Sequence, residues 1–92
     1  MPPSPTLLIA DDDAAIRTAL AALFAPEAYR LVFAADGVEA LTLAGEVFPD
    51  VVLLDVMMPR LDGLEVCRRL RADPRLGGVP ILLVTALEDP DQ

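Results

Sequence analysis

The stretch that decides the fold is VVLLDVMMPRLDG, residues 51–63, in which an apolar run ends at Asp55 and a loop follows. A short apolar run without alternation is typical of a strand that is buried on both faces of a parallel sheet. Upstream, Leu7–Ala10 is a second such run, and it ends in Asp11-Asp12-Asp13. Two buried strands that each end in carboxylates indicate a divalent-metal site with a candidate Asp nucleophile.

The composition indicates one small domain. The 92 residues are 54% apolar, and a chain of this size buries roughly 60–65% of its unfolded surface. No apolar stretch approaches the roughly 20 residues of a membrane span, and the start of the chain lacks the segments of a signal peptide. We therefore expect a cytoplasmic protein with a disordered Pro-rich tail at residues 1–5 and one domain at residues 6–92.

Several kinds of site are excluded by composition. With one cysteine, Cys67, and no histidine, the chain has neither an internal disulfide nor a zinc site of the usual Cys/His type. Cys67 is expected on an apolar helix stripe with Leu64 and Leu70, as a small buried hydrophobe. The net charge of −8 argues against direct binding of nucleic acid, which needs a basic surface.

Strand-like and helix-like segments alternate with short connections, which predicts an α/β fold with a doubly wound parallel sheet. The strand order 2-1-3-4 is expected, with the first helix on one face and the other two opposite, because crossovers are right-handed. The predicted strands are Leu7–Ala10, Arg30–Ala34, Val51–Leu54 and Pro80–Val84, and the three helices are Ala14–Ala25, one from Asp36 to before Pro49, and Leu64–Ala72. Their N-caps are Asp13, Asp36 and Asp62. The side chains expected to face inward include Ile16, Leu20, Leu23 and Phe24, and Val38, Leu41 and Phe48.

The predicted strand order places the candidate site. In such a sheet the ligand binds beyond the carboxyl ends of the strands where their order reverses. Neighbouring strands lie about 4.8 Å apart, so Asp12 and Asp55 could share one cation. Carboxylates this close repel unless a positive charge intervenes, and Mg²⁺ is a hard ion that suits them.

Three motifs, LLIADDD (residues 7–13), DVMMPRLDG (55–63) and VPILLVTA (79–86), resemble those of the receiver domains of two-component response regulators. The resemblance implies a flavodoxin-like fold. It also implies that Asp55 is a metal ligand and the phospho-acceptor, and that a histidine kinase or a phosphotransfer protein is its partner.

The same resemblance assigns the remaining site residues. Asp12 is expected to bind Mg²⁺ directly, Asp11 to assist through water, and the backbone carbonyl of Met57 to be a further ligand. The Thr85 hydroxyl and the Ala86 amide are expected to contact the phosphoryl oxygens.

The chain departs from the family pattern after its fourth strand. Receiver domains continue with a fourth helix, a fifth strand whose lysine pairs with the phosphoryl group, and a fifth helix, whereas this chain ends at Gln92 and has no lysine. We expect a truncated receiver with impaired phosphorylation and no effector domain in this chain. The uncovered apolar edge at Ile81–Val84 predicts a homo-oligomer.

Individual residues of the chain exclude two classes of enzyme that also have an Asp at the end of a strand. A dehalogenase-type hydrolase needs a second Asp where this chain has Met57, and a P-loop nucleotidase needs GxxxxGK, which is absent. We therefore expect that the chain is not an enzyme. A receiver-like dimerisation or docking module without phosphotransfer stays open as the alternative.

Overall fold

The computed structural model describes residues 4–25 and 28–84, in which four strands alternate with three helices. All strand pairs are parallel, and the order in the sheet is β2-β1-β3-β4. The predicted fold class and strand order are therefore confirmed. In chain order the elements are β1 (Thr6–Ala10), α1 (Ala14–Phe24), β2 (Arg30–Ala34), α2 (Gly37–Val47), β3 (Val51–Asp55), α3 (Gly63–Ala72) and β4 (Ile81–Val84).

The helices cover the two faces of the sheet as the right-handed crossover predicts. Side chains of α1, Leu20 and Phe24, pack on the face formed by Leu7, Ile9 and Leu53. Helices α2 and α3 pack on the other face in a larger apolar cluster, whose buried members include Leu8, Ala40, Ala44, Leu54, Val66 and Leu70. No helix in the described part of the chain is long and apolar enough to span a membrane.

The three predicted N-caps are present, since each aspartate accepts hydrogen bonds from the first turn of its helix. In each case the carboxylate Oδ1 accepts from a backbone amide at 2.8 Å: Asp13 from the Ala15 amide, Asp36 from the Glu39 amide and Asp62 from the Glu65 amide. Glu39 also accepts from the amide of residue 35. The carboxylate of Glu65 pairs instead with two arginines of α3, Arg68 and Arg69.

Some boundaries differ slightly from the prediction. Helix α1 ends at Phe24, with Ala25 as its C-cap, and β4 begins at Ile81 rather than at Pro80. Pro80 has no N–H to donate, although its carbonyl accepts from Val52 at 2.9 Å.

The predicted inward face of α2 is partly wrong. Val38 is 46% exposed and Phe48 is 51% exposed, whereas Ala40 and Ala44 are fully buried. Small side chains let the helix lie close to the sheet and to α3, so they occupy the buried positions. Phe48 has a left-handed backbone (φ 49°) at the C-cap, and its ring lies 5.5 Å from the Arg75 guanidinium.

The other two helices show the same kind of difference. In α1, Ile16 is 41% and Leu23 66% exposed, and in α3, Leu64 is 57% exposed. Leu70 is buried as expected, and Cys67 is half-buried against the core.

Candidate functional site

Carboxylates meet at the carboxyl ends of the two central strands. Asp11 directly follows β1, Asp55 is the last residue of β3, and the pairing of Ala10 with Leu54 sets them side by side. One carboxylate oxygen from each of Asp11, Asp12 and Asp55 lies within 4.8 Å of the others. The structure thus brings together three of the residues that the sequence predicted for the site.

Asp11 is the most enclosed member of this acidic cluster, which we define as Asp11, Asp12 and Asp55. Only 4% of its surface is exposed, and its Oδ1 accepts a hydrogen bond from the Asp13 amide at 2.9 Å. Burial raises the pKa of Asp11, and the negative charges of Asp55 and Asp12 add to this effect, while the Asp13 hydrogen bond opposes it. A cation bound here would relieve both the repulsion and the desolvation.

Arg17 is a residue of the site that the sequence did not indicate. Its Nη1 donates to the backbone carbonyl of Asp11 at 2.6 Å, so that α1 holds the turn after β1 in place. The Asp11 backbone amide donates to the carbonyl of Ala34, the last residue of β2, at 3.0 Å. In the sequence, nothing distinguishes Arg17 from an ordinary surface arginine on an amphipathic helix.

Asp55 is oriented by the loop that follows it. Its Oδ1 accepts a hydrogen bond from the Met57 amide at 3.2 Å. The Met57 side chain is largely solvent-exposed, with 72% of the residue accessible. The two ends of the loop are joined by a hydrogen bond from the Gly63 amide to the Val56 carbonyl, at 2.9 Å. Asp55 and Met57 lie at the first of these two ends.

Two predicted site residues, Thr85 and Ala86, lie outside the described residues, and their roles stay predictions. The strand before them does reach the site, because Val84 pairs with Asp55. The Val84 carbonyl accepts from the Val56 amide at 3.0 Å.

The acidic cluster fits a hard divalent cation on the chemistry of its donors. All three side chains offer oxygen, the type of ligand that Mg²⁺ prefers. Burial is the largest cause of the raised pKa of Asp11, and the like charge of Asp55 and Asp12 adds to it, so a cation would stabilise the ionised cluster. These residues therefore suit Mg²⁺.

The chain is similar to known proteins over most of its length. Residues 7–92 match the response regulator receiver domain family. The chain is 47% identical over 85 residues to the transcriptional regulatory protein AfsQ1 of Streptomyces coelicolor, and 51% identical over 80 residues to the response regulator MprA of Mycobacterium sp. strain KMS. These matches cover 92% and 87% of this chain but only 36% and 34% of the relatives, so the chain spans about a third of their length.

Solved structures show the same fold. The chemotaxis response regulator CheY4 of Vibrio cholerae superimposes with a TM-score of 0.86 at 32% identity, covering 96% of this chain and 73% of that one. The receiver domain of the sensor histidine kinase PA1611 from Pseudomonas aeruginosa was solved with magnesium coordinated in its active-site cleft. It superimposes with a TM-score of 0.85 at 31% identity, covering 90% of this chain and 68% of that one. With its sheet order, its acidic cluster and these matches, the chain belongs to the response regulator receiver domain family.

Proposed function

We propose that the chain is a Mg²⁺-dependent phosphoryl acceptor, in which Asp55 receives the group from a histidine kinase or a phosphotransfer protein. The observation that supports this most directly is the approach of Asp11, Asp12 and Asp55 to within 4.8 Å at the reversal of strand order. Membership of the receiver family makes phosphoryl transfer the natural use of such a cluster.

The metal would be held by the three carboxylates, with the backbone carbonyl of Met57 as a further ligand by resemblance. When bound, a divalent cation supplies positive charge that neutralises the oxygens of the transferring phosphoryl group. Binding also removes the repulsion within the acidic cluster. Thr85 and Ala86 are proposed as further contacts to the phosphoryl oxygens.

The nucleophile is one oxygen of Asp55. The Met57 amide holds Oδ1, and no residue in the described ranges donates a hydrogen bond to Oδ2, which is therefore our candidate for the attacking atom. In the transfer, a bond forms between this oxygen and phosphorus while the N–P bond of the partner's phosphohistidine breaks. The electron pair of the broken bond stays on the imidazole, and Asp55 becomes an acyl phosphate.

This function is acceptance of one group per chain rather than turnover of a separate substrate, so we propose that the chain is not an enzyme. We further propose a cytoplasmic location and an effector domain outside these 92 residues. The alternative, a docking module without phosphotransfer, predicts no Mg²⁺ binding at the acidic cluster.

Calorimetric titration with Mg²⁺ tests the proposal. Heat of binding is expected from the unmodified chain and not from Asp12→Ala, because that variant loses a carboxylate of the cluster. Glu46→Ala is the matched control, since Glu46 is an exposed residue of α2 and its loss changes the net charge equally. Equal binding by Asp12→Ala and the unmodified chain would contradict the site assignment.

A further inference from the structure

The first residue of α2 lies unusually close to the loop between β3 and α3. A methyl group added to Gly37 would lie 2.7 Å from the Leu61 Cβ and 2.8 Å from its carbonyl carbon, and it would overlap the carbonyl oxygen. Gly37 does not have a positive φ, so glycine is needed here for space and not for its backbone conformation. Only a residue without a side chain lets the loop approach α2 this closely.

A second contact joins the same two segments. Arg60 precedes Leu61 in the loop, and its Nε lies 3.9 Å from Oδ2 of Asp36, the N-cap of α2. Arg60 has a left-handed backbone with φ 69°, a conformation that non-glycine residues rarely adopt. This pair is largely exposed, so it marks where the loop lies against the start of α2 without fixing the loop there.

A side chain at Gly37 would move the loop and not the helix. Helix α2 is fixed to the core by Ala40 and Ala44, which are fully buried. In the loop, Leu61 is only half-buried against that core, and Pro59 and Arg60 are exposed. The displaced loop directly follows Asp55, the last residue of β3. Its Met57 amide orients the Asp55 carboxylate through the 3.2 Å hydrogen bond, so movement of the loop changes the geometry of the acidic cluster.

We propose that Gly37 is a positioning residue for the metal site, which sets Asp55 and Met57 through its contact with Leu61. The inference rests on the proposed function, since the affinity that it concerns is that for Mg²⁺. Groups that orient metal ligands without touching the ion commonly change affinity 10–100-fold when altered. Gly37 is not itself a ligand, and it lies in α2, whereas Asp11 and Asp12 follow β1 and Asp55 ends β3.

The chain contains a matched control in the same helix. At Gly45 an added methyl group would meet only the Arg75 Nη2, at an ordinary 3.7 Å. Both Gly37→Ala and Gly45→Ala place alanine in α2, but only the first pushes against the loop. Calorimetric titration with Mg²⁺, at a temperature where circular dichroism shows each variant folded, is expected to give about tenfold weaker binding for Gly37→Ala and unchanged binding for Gly45→Ala.

A spectroscopic measurement separates positioning from general stability. In the metal-free protein, the amide resonance of Met57 is expected to shift in Gly37→Ala and to stay in place in Gly45→Ala. If Gly37→Ala alone does not fold, the double variant with Gly45→Ala is compared with Gly45→Ala alone, because alanine in a helix interior is more stable than glycine.

Three results would overturn the inference: equal Mg²⁺ affinity in folded Gly37→Ala, equal weakening in Gly45→Ala, or a double variant that still does not fold. The last result would assign Gly37 to the stability of the whole fold. Absence of Mg²⁺ binding by the unmodified chain is a different outcome, because it would reject the proposed function itself.

Discussion

Replacing Asp11 by asparagine should stabilise the metal-free protein. Two unit charges at 4.8 Å, the upper limit of the separations in the acidic cluster, repel by about 0.9 kcal/mol in water and by about 3.5 kcal/mol at an effective dielectric constant of 20. Asp12 is exposed and Asp55 half-buried, so screening favours the lower part of this range. Asparagine keeps an oxygen that can accept the Asp13 hydrogen bond, and we expect a gain of about 1–2 kcal/mol.

The gain should depend on pH with a definite sign. The folded state raises the pKa of Asp11 and so favours its protonated form. The contribution of Asp11 to the free energy of unfolding is therefore fully present below the ordinary carboxyl pKa. It is lost as the pH rises through the folded-state pKa, where the carboxyl ionises. The advantage of Asp11→Asn is therefore expected at neutral pH and should disappear in acid, where the unmodified Asp11 is protonated.

Thermal unfolding in EDTA measures this effect. For a domain of this size, about 1–2 kcal/mol corresponds to an increase of about 4–16 °C in the melting temperature. Asp62→Asn is the control, because asparagine caps a helix as well as aspartate does and Asp62 is outside the cluster. Saturating Mg²⁺ should raise the melting temperature of the unmodified protein more than that of Asp11→Asn. A lower melting temperature for Asp11→Asn at neutral pH in EDTA would refute the reasoning.

Two further predictions concern phosphorylation and association. No lysine occurs in these 92 residues, so none of them can pair with the phosphoryl group as the family's lysine does. We expect slow labelling of this chain by small phosphodonors, measured by mass spectrometry and absent in Asp55→Asn. Rapid stoichiometric labelling would show that the lysine matters less than we infer. Strand β4 lies at the edge of the described sheet with Leu82 57% and Leu83 42% exposed, and an apolar edge favours pairing with another chain. Sedimentation at micromolar concentration is expected to show association, and a folded monomer of 9.8 kDa would contradict it.

The strands and the residues of the acidic cluster could be predicted because they depend on local patterns, while the arrangement of the sheet followed from the handedness of crossovers. The buried runs that end in Asp11 and Asp55 determine both the sheet and its functional edge, and aspartates before helices act as caps through neighbouring amides. The contribution of Gly37 could not be predicted, because its contact with Leu61 joins segments that are distant in the sequence. Long-range contacts of this kind leave no periodic signal.

The buried face of α2 was the least predictable part of the fold. Apolarity ranks Val38 and Phe48 above alanine, but the distance between helix and sheet decides which side chains fit. That distance is short, so Ala40 and Ala44 occupy the interface, and the larger residues remain half exposed.

The alanines of α2 have a consequence for mutagenesis. Alanine scanning leaves Ala40 and Ala44 unchanged, although both are fully buried. It would therefore not show that these two positions are sensitive to substitution. Substitution by larger residues is the informative test, because overpacking a filled interior costs about 1–3 kcal/mol. Sequence variation among functional variants of this chain should accordingly be wide at Val38 and confined to the smallest side chains at Ala40 and Ala44.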